Sequence, residues 1–234
     1  MQRVWQEGVG QRLEAMLLLL PRRHHKAIGR WVRGRAEHRK LQRADCVLMS
    51  WGKSGRTWLR VMLSRFYQLA YGLPEGVMLE FDNLHRANPA IPSVFFTHGN
   101  YVRDYTNIWD SKSPFYPKRI LLLVRDPRDI AVSQYFQWKY RMRPVKRLLN
   151  DYPEQDGLSI YDFMMNRDAG LPRIIDFLEI WDASCRRCAN RWCCATRTCA
   201  PIRKPRCAGR WPSWARRAAT SRSARLRPMR PTTT

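Results

Sequence analysis

Residues 50–59 read Ser-Trp-Gly-Lys-Ser-Gly-Arg-Thr-Trp-Leu, or SWGKSGRTWL. A short apolar run, CVLM (Cys46 to Met49), precedes them, and a helix-like segment, RVMLSRFYQLAYG, follows from Arg60. A strand, a small-residue turn carrying a lysine, and then a helix is an arrangement that cradles a phosphate. Backbone N–H groups at a helix start face outward unpaired, and the helix dipole there favours negative charge. In this chain those donors run from Ser54 to Trp58, with the charge of Lys53 beside them. Gly55 lets the backbone approach an oxyanion closely. Arg56 adds charge, Thr57 a hydroxyl donor, and Trp58 a flat face against which an adenine can lie.

The nucleoside-triphosphate loop G-x-x-x-x-G-K-[ST] is the nearest rival. Gly52, Lys53 and Ser54 fit its end, but its leading glycine falls on Val47, inside the strand. The loop is then too short to wrap a triphosphate. A P-loop nucleotide kinase is therefore disfavoured.

Outward from the loop, short apolar runs mark strands at CVLM (46–49), GVMLEF (76–81), SVFFTH (93–98) and RILLLV (119–124). The unbroken ILLLV is what a strand buried on both faces of a parallel sheet requires. Helical patterns run from Thr57 to Tyr71, from Arg128 to Arg141, and in two pieces from Ser159 to Ala183. Strands alternating with helices predict an α/β layer fold with a central parallel sheet and right-handed crossovers. A chain of 234 residues can bury the core of one such domain.

The net charge of +24 is unevenly spread. Residues 1–182 hold 29 Lys/Arg against all 19 Asp/Glu, whereas residues 183–234 hold 14 Lys/Arg and no acid. Residues 22–43 carry nine Lys/Arg and one acid and read as a solvated basic helix, with peripheral attraction to an anionic membrane as the other use of that charge. The predicted organisation is a basic N-terminal helical extension (1–43), an α/β domain (44–183) and a basic Cys/Arg-rich tail (184–234). MLLLL (Met16 to Leu20) is too short for a membrane span or a signal core, so a cytoplasmic location is expected. Only Cys46 precedes residue 184, so the body implies no disulfide framework.

A second motif follows the last apolar strand. RILLLVRDPRDIAVSQYFQWKYR (119–141) places Arg125 at a strand end and Ser133 eight residues on, in a helix. Arg125 offers a fork of donors to a phosphate dianion, and Ser133 a hydroxyl. Taken alone, RDPRD also reads as a helix start, with Asp126 capping and Pro127 near the first position. Together the two motifs resemble those of the cytosolic-type sulfotransferases. SWGKSGRTWL is similar to their 5′-phosphosulfate loop, close to P-K-S-G-T-T-W-L, with Gly52 for the proline and Arg56 for a threonine. Residues 125–135 are similar to their 3′-phosphate motif, R-[ND]-P-[RK]-D-x-x-x-S-x-Y.

The resemblance implies a P-loop-like three-layer fold and 3′-phosphoadenylyl sulfate as co-substrate, leaving 3′,5′-ADP, with no metal. The sulfuryl group would pass to a hydroxyl or amine of a small-molecule, lipid or carbohydrate acceptor. Lys53 would stabilise the bridging oxygen as its bond to sulfur breaks. Ser54, Gly55, Arg56, Thr57, Trp58, Arg125 and Ser133 would hold the donor. The family takes its base from a histidine at the end of the strand between the two motifs. His98 in SVFFTHGNY stands there, after Thr97, although Phe96 replaces the family's lysine.

The tail departs from the family. After Ala183 there is no Val, Phe, Tyr, Asp or Glu, and no strand or core is expected from it. The family's last strand, roughly V-x-R-Y-E-D-L, and the basic loop that closes over the donor are not present as written. RWCCATRTC (191–199), written in suitable codons and shifted by one base, reads L-V-L-R-Y-E-D-M, so the tail looks frameshifted and the enzyme impaired. Its six cysteines contain one C-x-x-C, Cys185 to Cys188, and no histidine follows His98, which is thin support for zinc. A non-catalytic basic protein that binds nucleic acid or an anionic membrane is the alternative from another class.

Overall fold

Cys46, Leu48 and Ser50 alternate with Val47 and Met49 along the first strand, and all but half-buried Cys46 are buried, as a strand covered on both faces requires. The computed structural model describes residues 21–155, 157–188 and 190–195. In it a basic helix, α1 (Arg22–Arg43), leads into β1 (Cys46–Ser50), α2 (Arg56–Tyr71), a short α3 (Asn83–Ala87), β2 (Val94–Thr97) and α4 (Val102–Thr106). There follow β3 (Arg119–Val124), α5 (Pro127–Arg141), α6 (Pro144–Leu149), α7 (Ile160–Met165), α8 (Leu171–Cys185) and β4 (Asn190–Ala195). Contacts divide the chain into Met1–Cys199 and Ala200–Thr234, and all the described residues belong to the first unit.

The sheet is parallel, in the order β2-β1-β3-β4. Leu48 pairs in register with Phe96 and with Leu121, which aligns the even positions of β1 with one face of the sheet. That face packs Leu48, Val94 and Leu123 with Leu79, Leu84 and Ile91, and α2 covers it through Leu59, Leu63 and Tyr67. A Cβ added to Gly99, at φ +66°, would lie 2.7 Å from Trp181 of α8 and 3.2 Å from Met49, which sets α8 beside the opposite face. Any L side chain at Gly99 meets both a strained backbone and an indole ring. A second core joins α5 and α7, where Trp138 stacks on Phe163 with centroids 4.9 Å apart and Ala169 packs beside them.

α1 lies across α4, and Gly34 makes the approach possible, since a Cβ there would sit 2.3 Å from the Tyr101 carbonyl oxygen. Its charge is not all solvated. Arg30 is 7% exposed and donates to both carboxylate oxygens of Asp104, at 2.8 and 2.9 Å. It also donates to the carbonyls of Leu149 and Asn100, at 2.6 and 3.0 Å.

Two expectations need correction. GVMLEF (76–81) forms no strand. Side chains of α2 take the place of a neighbouring strand: Ser64 Oγ accepts from Leu79 N at 2.7 Å, Arg60 donates to the Leu79 carbonyl, and Gln68 donates to the Val77 carbonyl. With their backbone groups so satisfied, these residues need no ladder. Second, the segment after Ala183 does supply a strand. β4 pairs in parallel with all of β3, from Arg119↔Asn190 to Val124↔Ala195. The open edge of β3 needs only backbone partners, and residues 190–195 supply them. The zinc reading of the tail falls largely outside the described residues.

Candidate functional site

The connection from β1 runs to β2 on one side of the sheet, and that from β3 runs to β4 on the other. The strand order therefore reverses between β1 and β3, and in open α/β sheets ligands bind in the crevice beyond the carboxyl ends of strands at such a point. The two motifs occupy those two ends. Residues 51–55 follow β1, and Arg125 follows β3 directly.

The loop turns back on itself at two left-handed residues, Lys53 (φ 68°) and Gly55 (φ 94°). Gly55 is the N-cap of α2, with no side-chain cap and no acid in the first turn. The first turn of a 16-residue helix is thus left to backbone donors and positive charge. Ser54 is fully buried, and its hydroxyl has no partner among the described residues. Arg125 Nη1 donates to the carbonyl oxygen of Lys53 at 3.1 Å, which joins the two motifs. Arg125 also faces Asp129 at 3.6 Å. Asp126 caps α5 by accepting from Arg128 N at 2.9 Å, so the helix-start reading of RDPRD holds alongside the reach of Arg125.

Lys53 Nζ lies 3.4 Å from Gln137 Oε1 on α5. Half-buried Ser133 stands four residues earlier, on the same helix face. Desolvation lowers the Lys53 pKa, and the charges of Arg141 and Arg125 lower it further. Gln137 and Arg141 carry no motif signal, and only the fold brings them to the lysine. Thr57 is exposed and Trp58 is 76% exposed, so the side chains of both are open to solvent.

His98 sits one residue past β2. Its Nδ1 lies 2.6 Å from the carbonyl of Ser50, the last residue of β1. A carbonyl only accepts, so Nδ1 carries the proton and Nε2 the lone pair. Arg56 Nη2 lies 3.2 Å from that Nε2 and donates to it. Burial, then the Arg56 charge, lowers the His98 pKa from 6.5 to about 3. Nε2 is thus the only basic atom of the ring, and Arg56 holds it.

Glu37 of α1 approaches from the other side. Burial raises its pKa from 4.5 to about 7, against the lowering effects of the Thr97 hydroxyl, Lys40 and Arg56. Arg56 therefore bonds a histidine and also interacts with the charge of Glu37. Sequence patterns gave no hint of Glu37, the single acid of a basic helix.

Compared with known proteins, the chain matches no family model, no curated protein and no solved structure. Among the described residues no group of three or more His, Cys, Asp or Glu side chains is placed to hold a metal ion, and no helix is long and apolar enough to cross a membrane.

Proposed function

We propose that this protein is a sulfotransferase of P-loop-like α/β architecture. It takes 3′-phosphoadenylyl sulfate as donor and moves the sulfuryl group onto a hydroxyl or amine of a small-molecule, lipid or carbohydrate acceptor. One observation carries the reading: the Arg125 side chain bonds the Lys53 carbonyl, so two anion-binding motifs more than 70 residues apart converge at the sheet's switch point. The cytosolic type of the resemblance implies the cytoplasm as its place.

In this reading the first turn of α2 and Lys53 hold the 5′-phosphosulfate, and Arg125 with Ser133 holds the 3′-phosphate. The acceptor oxygen or nitrogen attacks sulfur as the bridging S–O bond breaks, and the bond pair leaves on the phosphate of 3′,5′-ADP. Lys53 stabilises that charge as it forms. The acceptor's proton goes to the lone pair of His98 Nε2. Arg56 must first leave Nε2, and a bound sulfuryl or phosphate oxygen gives its guanidinium another acceptor. β4 supports the reading from a distance, since it lies where the shifted frame would supply the family's last strand.

The test is calorimetric titration of the full chain with 3′,5′-ADP, with ATP as control. Selective binding of 3′,5′-ADP is expected. Lys53→Ala should weaken that binding by about tenfold or less, and lower sulfuryl transfer from labelled donor to a hydroxyl-acceptor panel by roughly 10²–10³. Equal or better binding of ATP would overturn the proposal.

A further inference from the structure

A cavity of about 50 Å³ opens beside His98, bordered among others by Trp51, Gly52, Lys146 and Arg173. A water needs roughly 10–15 Å³ by this measure, so the space takes a few waters or one tetrahedral oxyanion, and little more. Its chemistry is that of a donor set. Trp51 is 8% exposed, and its indole Nε1–H has no partner among the described residues. Arg173 stands in the first turn of α8, a 15-residue helix whose N-cap, Gly170, provides no side-chain cap and whose first turn holds no acid. An anion there meets both a guanidinium and the positive end of a helix dipole.

The charge at this cavity is not neutralised from within. Lys146 is exposed over part of its length, yet desolvation lowers its pKa, and the charges of Arg56, Lys53 and Arg33 lower it further. Arg33 Nε is itself buried with no hydrogen-bond partner among the described residues. Arg30 also borders the cavity, but Asp104 already holds it. Asp168 is the one carboxylate among the described lining residues and is exposed, and Lys146 and Arg173, which border the cavity with it, form no ion pair among the described residues.

We propose that this cavity is an oxyanion subsite for the acceptor, so that the acceptor is a hydroxyl or amine compound already bearing a phosphate, sulfate or carboxylate. The assignment to an acceptor rests on the sulfotransferase reading; the subsite itself rests on the cavity and its donors. Such a group, held by Lys146, Arg173 and Trp51, keeps the rest of the acceptor within reach of His98, which shares the same cavity.

Inorganic phosphate is the probe, titrated by calorimetry at low salt into the full chain saturated with 3′,5′-ADP, so that the donor's phosphate sites are filled. Wild type should bind phosphate in the millimolar range. Lys146→Gln and Arg173→Gln should each weaken it about tenfold. Trp51→Phe, which removes the N–H without changing charge, should weaken it by a smaller factor, and keeps the test usable if a charge variant fails to fold. Arg65→Gln, at an exposed ion pair on α2, is the matched control and should leave it unchanged. Affinity for 3′,5′-ADP should stay within about twofold throughout. Absence of phosphate binding by the loaded wild type, or an equal loss in Arg65→Gln, overturns the subsite. If 3′,5′-ADP itself does not bind, the sulfotransferase reading falls and the acceptor assignment with it. The same variants titrated without nucleotide then decide whether the anion site stands alone.

Discussion

Glu37 Oε2 accepts a hydrogen bond from Thr97 Oγ1 at 3.3 Å, tying α1 to the end of β2 one residue before His98. The same Thr97 oxygen accepts from Gly99 N at 2.9 Å, so the carboxylate, the strand end and the turn after it form one unit. Burial holds the folded-state pKa of Glu37 at about 7, against an ordinary 4.5. Between those values the folded chain binds the extra proton, so this contribution to stability is complete below about pH 4.5 and is lost as pH rises through 7. Glu37→Gln removes the titration. In urea unfolding, the variant should gain on wild type by on the order of 1–3 kcal/mol between pH 4.5 and 8. A pH-independent difference would rule Glu37 out as the titrating group.

His98 has the opposite sign. Its folded pKa of about 3 lies below the ordinary 6.5, so its contribution is present above 6.5 and is lost as pH falls toward 3. Arg56→Thr takes the guanidinium off Nε2. By NMR titration of the His98 ring, the pKa should rise by about one unit and remain below 6.5, because burial is the larger cause. An unmoved ring would show that Arg56 has no hold on it.

Arg125 carries two duties, the bond to the Lys53 carbonyl and the proposed grip on the 3′-phosphate. Arg125→Ala should weaken 3′,5′-ADP binding by roughly 10–100-fold. Arg125→Lys should recover little of this, since an ammonium cannot serve a phosphate and a carbonyl with a planar fork. Full recovery in the lysine variant would mean that only charge matters at this position.

Arg30→Met leaves Asp104, whose side chain is only 12% exposed, without its partner and strips the Leu149 and Asn100 carbonyls of a donor. A loss of about 3–5 kcal/mol in urea unfolding is expected. Adding Asp104→Asn should return part of that loss, because the orphaned charge is then gone. A double variant no better than the single one would place the cost in the carbonyls instead.

Much of the sheet was legible. The runs at 46–49, 93–98 and 119–124 each contain a strand, and the helices after β1 and β3 begin within one residue of their expected starts. Apolar runs flanked by a glycine loop or a proline leave few other folds open. GVMLEF misled because its composition suits a strand while its partners are the side chains of Ser64, Gln68 and Arg60, which no periodicity reveals. β4 was missed for the converse reason: its residues carry no strand pattern, and the edge of β3 supplies the cause. The same limit applies to the site. Lys53, Arg125 and His98 stand out by motif and by strand end, whereas Glu37, Gln137, Lys146 and Arg173 reach the same crevice from four separate helices. Their roles exist only once those helices pack.

β3 lies between β1 and β4, and this has a consequence during synthesis. β1 can close one side of β3 as soon as Val124 leaves the ribosome, but the other side waits for Ala195. At about 5–20 residues per second, the intervening stretch of about 70 residues leaves a bare apolar strand edge for roughly 4–14 s. Over that interval the nascent chain offers a template to any extended peptide nearby, and chaperone cover is needed most before the last strand arrives.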